Sequence, residues 1–301
     1  MIPPFRELFS FTAAIMVSAI MAANAAPITT NTALPVNEGE FILRAQVKYI
    51  SSTDDPSPAE RELTVWSAPS VLVYGLAEKF SLFGIVPYLD KSLEMNTPSG
   101  RQMRGDSGLG DIRVFGRYTL GQWDHPGETL RVAWFAGLEL PTGTDDVVDS
   151  LGRLPQPLQL GSGSWDPFVG AVFTWQTLQW EFDSSIAYNF NTEANGFEFG
   201  DVVRFDLSYQ YRLWPNELGD AVPSYLYGVV ESNLIWKDNN RAFGDRDSNS
   251  GGTAWYLAPG IQYVTKRYII EGAVQFPIIQ DLNGNALKND LIVTTGFRVN
   301  F

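Results

Sequence analysis

The sequence predicts an all-β fold: a transmembrane, antiparallel up-and-down β-barrel of about twelve strands, with short periplasmic turns and long extracellular loops. Three observations predict it. Residues alternate apolar and polar over segments about ten residues long, which suits a tilted membrane strand better than the shorter strands of soluble domains. The connections alternate between short and long. The alternation also continues to the terminal Phe301, where a soluble domain would usually fray.

Composition narrows the class. The 301 residues are 45% hydrophobic, 13% aromatic and 18% charged, fewer charges than the roughly 25% of an average soluble domain. A net charge of −13 argues against nucleic acid, which calls for a basic stripe. Cysteine is absent, which excludes disulfides, thiolate metal sites and a Cys nucleophile. After Arg6 comes the apolar run LFSFTAAIMVSAIMAA, then ANAA, in which Ala23 and Ala25 fit the small-x-small rule for signal peptidase. The run is broken by Ser10, Thr12 and Ser18 and falls short of the roughly 20 apolar residues that span a bilayer. We therefore read 1–25 as a secretory signal peptide, 26–38 as a periplasmic N-terminal segment and 39–301 as a single outer-membrane barrel.

Twelve strands follow in order, near 40–50, 63–76, 80–91, 108–120, 129–140, 164–175, 179–190, 199–213, 224–237, 253–265, 268–280 and 290–301. The first sets Phe41, Leu43, Ala45, Val47 and Tyr49 against Arg44, Gln46 and Lys48. In the seventh, Trp180, Phe182, Ile186, Tyr188 and Phe190 oppose Glu181, Asp183 and Ser185. The eighth sets Val203, Phe205, Leu207, Tyr209 and Tyr211 against Arg204, Asp206, Ser208, Gln210 and Arg212. AEK, QTL and TKR are short turns, whereas 51–62, 92–107, 141–163 and 238–252 are expected to be long loops rich in Asp, Ser, Gly and Pro. An even strand count returns the chain to the side on which it started. Aromatics such as Trp66, Tyr88, Trp175, Tyr211, Trp236, Trp255 and Tyr268 fall towards strand ends, as interfacial girdles do.

The last strand, NDLIVTTGFRVNF, puts Leu291, Val293, Thr295, Phe297, Val299 and Phe301 on the lipid face. A closed barrel needs that strand paired to its end. The tail resembles the carboxy-terminal assembly signal of bacterial outer-membrane proteins at Thr294, Gly296, Val299 and Phe301, which implies the barrel-assembly machinery as a partner.

The inward faces carry the candidate site: a lumen lined by Arg44, Lys48, Asp111, Arg113, Arg117, Arg131, Glu139, Asp166, Glu181, Asp183, Arg204, Asp206, Arg212, Glu231, Glu271 and Arg298. Asp111 and Asp166 are expected to face Arg113, Arg117 and Arg131, either as a paired network that fills the lumen or as a charged constriction. Inward Phe115, Phe135, Phe168, Tyr225 and Tyr227 either offer surfaces to a planar solute or fill space. Gly108, Gly110, Gly161 and Gly163 read as turn or bulge positions; no helix and no Lys-Ser/Thr pair follows GLGD to make a phosphate loop. The loop acids Asp54, Asp55, Glu60, Glu62, Asp145, Asp146 and Asp149 suit solvation, or divalent-cation bridging to lipopolysaccharide, or a cation preference at the mouth.

SGLGDIRVFGRYTL, GLELPTGT and LQLGSGSWDPFVGAVF, with matching positions Gly108 to Asp111, Leu140 to Gly143 and Gly161 to Asp166, resemble the Putative MetA-pathway of phenol degradation family of outer-membrane barrels. The resemblance implies passage of small molecules, aromatic ones included, across the bacterial outer membrane; it carries over no catalytic residues. Enzymatic readings find little purchase. His125 is the only histidine and sits in a periplasmic turn, far from the outer rim where a Ser-His lipid hydrolase would work. DLNGNALKND starts like a calcium loop, but Gly284 is misplaced and Ile292 occupies the final acid position. The expectation is a monomeric passive channel in contact with lipid and lipopolysaccharide, with no cofactor and no metal. A barrel with a plugged, non-transporting lumen is the alternative.

Overall fold

The computed structural model describes residues 25–217 and 224–301. Most of the signal segment therefore lies outside the described residues.

Twelve antiparallel strands close on themselves among those residues. They are β1 (Phe41–Ser52), β2 (Glu62–Ala77), β3 (Phe80–Thr97), β4 (in two pieces, Gly100–Leu109 and Ile112–His125), β5 (Glu128–Leu140) and β6 (Asp166–Thr177), then β7 (Trp180–Asn189), β8 (Val202–Trp214), β9 (Ser224–Lys237), β10 (Gly252–Thr265), β11 (Tyr268–Leu282) and β12 (Leu291–Asn300). Each pairs with its sequence neighbour, and β1 pairs with β12 from Ile42 opposite Asn300 to Ser51 opposite Leu291. No edge is left open, so the backbone groups of the wall pair from strand to strand without a free rim.

The burial pattern is inverted relative to a soluble protein. Ile186, Ile261 and Ile270 lie on the outer surface about half exposed, while Glu181, Gln210, Glu231, Asn233 and Gln262 are fully enclosed. Strand alternation produces this directly, because successive side chains point to opposite faces of the wall. Trp66, Tyr88, Trp236 and Trp255 are exposed towards the long-loop end, and Trp175, Tyr211, Tyr263 and Tyr268 towards the short-turn end.

Two expected boundaries shift. The stretch 92–107 is not a loop: β3 and β4 continue as a hairpin paired to Thr97 opposite Gly100, tall enough to rise beyond the membrane zone. In water both of its faces tolerate polar residues, so the Ser, Asp and Gly that suggested a loop cost the ladder nothing. The strand expected over 108–120 is interrupted at Gly110 and Asp111, where Asp111 turns to cap the loops described below.

The seam closes at the terminus. The Phe301 N–H donates to the Phe41 carbonyl (2.9 Å), and the Phe41 N–H donates to the Phe301 carbonyl (3.2 Å). Deleting Phe301 removes both bonds, each worth about 0.5–1.5 kcal/mol net, together with an exposed aromatic side chain. The expected outcome is a marked loss of heat-modifiable protein in outer-membrane fractions; undiminished levels would count against an assembly role for the terminus.

Candidate functional site: the barrel lumen

A peptide crosses the inside of the barrel. Residues 26–38, expected below the barrel in the periplasm, instead run through its lumen up to Val36. The segment starts beside the short-turn end of β10 and β11, where Ala25 packs on Val264 and Ile269 and Gln262 donates to the Ala26 carbonyl. It climbs to mid-barrel, where the Ile28 and Thr29 N–H groups donate to the two oxygens of Glu231 (2.7 and 2.8 Å). It descends past Thr174, whose hydroxyl accepts from the Ala33 N–H (2.7 Å), to Ser81, whose hydroxyl accepts from the Val36 N–H (3.2 Å). Three arginines bind its carbonyls. Arg44 donates to Pro27 and Ile28 (3.0 and 2.8 Å), Arg204 to Thr29 (2.9 Å), and Arg117 to Thr32 and Leu34 (2.5 and 2.6 Å). An extended peptide in a lumen has no strand to pair with, so side chains of the wall satisfy its backbone. We call this segment the arch.

The sixteen residues read above as lumen-lining fall into three groups. Arg44, Lys48, Asp111, Arg113, Arg117, Arg204, Asp206 and Arg298 border a chamber of about 720 Å³ beside the arch. Glu139 and Asp166, with Asp111 and Arg113, border a second cavity of about 890 Å³ among the long loops. The other six, Arg131, Glu181, Asp183, Arg212, Glu231 and Glu271, border neither. Glu231 holds the arch directly. Glu271 orients Arg44 (2.5 Å) and Gln46 (2.9 Å) beneath it. Asp183 accepts from Thr174 (2.5 Å) and Gln210 (3.2 Å), and Glu181 from Gln176. Arg131 pairs with Asp124 (2.5 Å), and Arg212 donates to the Leu178 carbonyl (2.8 Å), both near short turns. The two cavities share Pro87, Asp111, Arg113, Asn189, Val202 and Lys237 in their walls, so they meet between the loops and the arch.

The expected pairing of Asp111 and Asp166 with the three arginines does not occur. Asp111 accepts from the Gly143 N–H (2.8 Å), the Ser162 N–H (2.6 Å) and the Ser162 hydroxyl (2.9 Å). Asp166 accepts from the Thr192 N–H (2.7 Å) and the Ser164 hydroxyl (2.9 Å). Carboxylates at strand ends satisfy loop N–H groups that no ladder reaches. Arg113 instead pairs with Glu139 (3.2 Å) and lies over the Phe168 ring (4.2 Å), and Arg117 lies over Phe83 (4.7 Å). The three glycine-rich motifs thus form one knot at the rim. A Cβ on Gly161 would come within 2.5 Å of the Gly143 carbonyl oxygen, and one on Gly143 within 2.8 Å of the Gly161 nitrogen, so close backbone approach rather than a turn is what those two glycines provide.

The acidic loops are not free carboxylate patches either. Asp149 pairs with Arg104 (2.8 Å), Glu62 with Arg101 (2.6 Å) and Asp54 with Lys288 (3.2 Å). Hydrogen bonds from Arg104 hold the Asp149 carboxyl below its usual range. For Asp55 burial pushes upward, but hydrogen bonds from Arg61 and Ser57 outweigh it and hold the carboxyl well below the ordinary value. Four of the seven loop acids are thus ion-paired, while Glu60, Asp145 and Asp146 have no ion-pair partner among the described residues.

With the arch, the motif knot and the two cavities in place, the family can be judged on both sequence and structure. Residues 59–275 match the family described as "Putative MetA-pathway of phenol degradation". The chain belongs to that family. Its fold is that of outer-membrane barrels. The COG4313 outer membrane channel from Pseudomonas putida F1 superposes with a TM-score of 0.66 at 13% identity, covering 91% of this chain and 100% of that one. The NanC porin gives 0.46 at 13% identity, covering 85% and 98%, and the CymD monoaromatic hydrocarbon channel gives 0.39 at 11%, covering 88% and 89%. No curated protein sequence matches the chain. The fold brings SGLGD, PTGT and GSGSWD together at one rim.

Two features of the lumen were missed by the sequence reading. One is the arch, whose only signal was that 26–37, APITTNTALPVN, has no charge at all, unusual for a solvated linker. The other is Lys237, at the loop end of β9 in the walls of both cavities.

Proposed function

We propose that this protein is a monomeric outer-membrane channel for passive entry of small solutes, including aromatic or weakly polar compounds. In this reading residues 1–25 direct export and are removed, the terminus Thr294, Gly296, Val299 and Phe301 is read by the barrel-assembly machinery, and lipopolysaccharide surrounds the loops. The observation that carries the proposal is the meeting of the two cavities, a route from the loops down to the arch lined by mixed polar and aromatic side chains. The family description, which names a phenol-degradation pathway, supports aromatic cargo. The lining charges then set selectivity, and no bond-making chemistry is assigned to them.

The arch favours a second reading, a structural barrel with a plugged lumen. Planar-bilayer recording and proteoliposome uptake separate the two. A channel gives discrete conductance steps and speeds entry of a phenyl glucoside over a sugar of matched size. Equal entry reduces the protein to a general porin; neither conductance nor entry favours the plug.

A further inference from the structure

One strip of the chamber wall is apolar and uncovered. On the inner faces of β2 and β3, Pro69 stands opposite Pro87 and Val71 opposite Ile85, and all four border the chamber. Ile85 leans on the cluster packed around Phe115. Pro69, Val71 and Pro87 belong to none of the packed clusters and are half-buried, so solute in the chamber can lie against them. Beside the strip, on β1, stands Lys48, which also borders the chamber. It pairs across to Ser67, two residues along β2 from Pro69, so Lys48 and Pro69 are diagonal neighbours on one face, within reach of a long side chain. The Lys48 ammonium has no ion-pair partner among the described residues. Within its electrostatic reach are Arg44, Arg204, Glu231 and Glu271, two charges of each sign. Glu271 accepts from Arg44 and Gln46, and Glu231 from the arch and Ser208. The ammonium is therefore the surplus charge of its surroundings.

We propose that this side of the chamber binds alkyl anions of the carboxylate class, with the head group at Lys48 and the chain laid along Pro69, Val71 and Pro87. This deepens the channel reading and rests on it for transport, though not for binding. Ser67, beside Lys48, and Val71 are four strand residues apart, roughly 13 Å, which leaves room for a chain of medium length. Each methylene laid on the strip leaves water, and the head group meets a charge that the low-dielectric wall screens little. No ring is required, because the aromatic side chains nearby are packed on one another or lie under Arg113 and Arg117. A solute with both features is favoured over one with either alone, and an alkyl cation is repelled.

Calorimetry on the full barrel in detergent tests this with hexanoate, acetate and hexylammonium, alongside uptake of the same three into proteoliposomes. Hexanoate should bind, acetate at least about tenfold more weakly for want of the chain, and hexylammonium not measurably. Lys48→Gln should weaken hexanoate by about threefold or more, whereas Lys48→Arg, which keeps the charge, should retain it. Val71→Ser should narrow the advantage of hexanoate over acetate. All three variants should keep heat-modifiable migration. No hexanoate binding, equal binding of hexylammonium, no advantage over acetate, or an unaffected Lys48→Gln variant each overturns the inference. Conductance without this binding pattern sinks the inference and leaves the channel reading intact; the binding pattern without any flux sinks the channel reading and leaves this one standing.

Discussion

Deleting residues 27–36 should raise single-channel conductance severalfold while leaving a heat-modifiable barrel. The arch crosses the lumen at the height of Glu231 and is attached only by side chains of the wall. No strand ladder passes through it, so the β1–β12 closure that holds the barrel is untouched. The wall does lose partners, and a hydrogen bond to a charged group is worth about 1.5–3 kcal/mol. Water entering the vacated lumen can replace them, because the released groups end up solvated rather than buried and unsatisfied. Glu231→Gln should fall between the two, with brief openings, since it weakens the two bonds that hold the top of the arch. Unchanged conductance in the deletion would show that the constriction lies elsewhere, in the loops.

Ile186→Arg should nearly abolish assembled barrel. Ile186 faces outward at the middle of β7, paired across to Phe205 and Ala171, and is 51% exposed to what would be lipid. Arginine near the bilayer midplane of a barrel costs about 2–4 kcal/mol, with no inward rotamer available on that face. Asp183→Asn, three residues earlier on the opposite face, is the contrast. It keeps one oxygen to accept from Thr174, and its amide can donate to the otherwise unpartnered Gln210 oxygen once that side chain turns over; Asp183 also lies outside the open chamber, so assembly should be normal and the change in selectivity small. Outer-membrane levels and heat-modifiable migration of the two variants decide the matter; if both behave alike, the inside–outside assignment of β7 is wrong.

The wall of this protein was legible in its residues because membrane and lumen impose opposite demands on alternate side chains. Trp180 to Phe190 and Val203 to Leu213 could not serve a soluble sheet so well, and the alternation through Leu291 to Phe301 belongs to the strand that closes against β1. Where both faces meet water the constraint vanishes, and the extension of β3 and β4 through 92–107 went unread for that reason. Which side chains line the lumen was partly legible, but what they bind there was not. The arch has no period, and what holds it at Ile28 is a carboxylate 203 positions away. Asp111 sits within a few residues of Arg113 and Arg117, yet it binds loop N–H groups at Gly143 and Ser162. Periodicity determines which way a side chain points, and that is a local property of the strand. Which partner it meets there depends on the closure of twelve strands and on where the loops and the amino-terminal segment come to rest, and only the tertiary structure decides that.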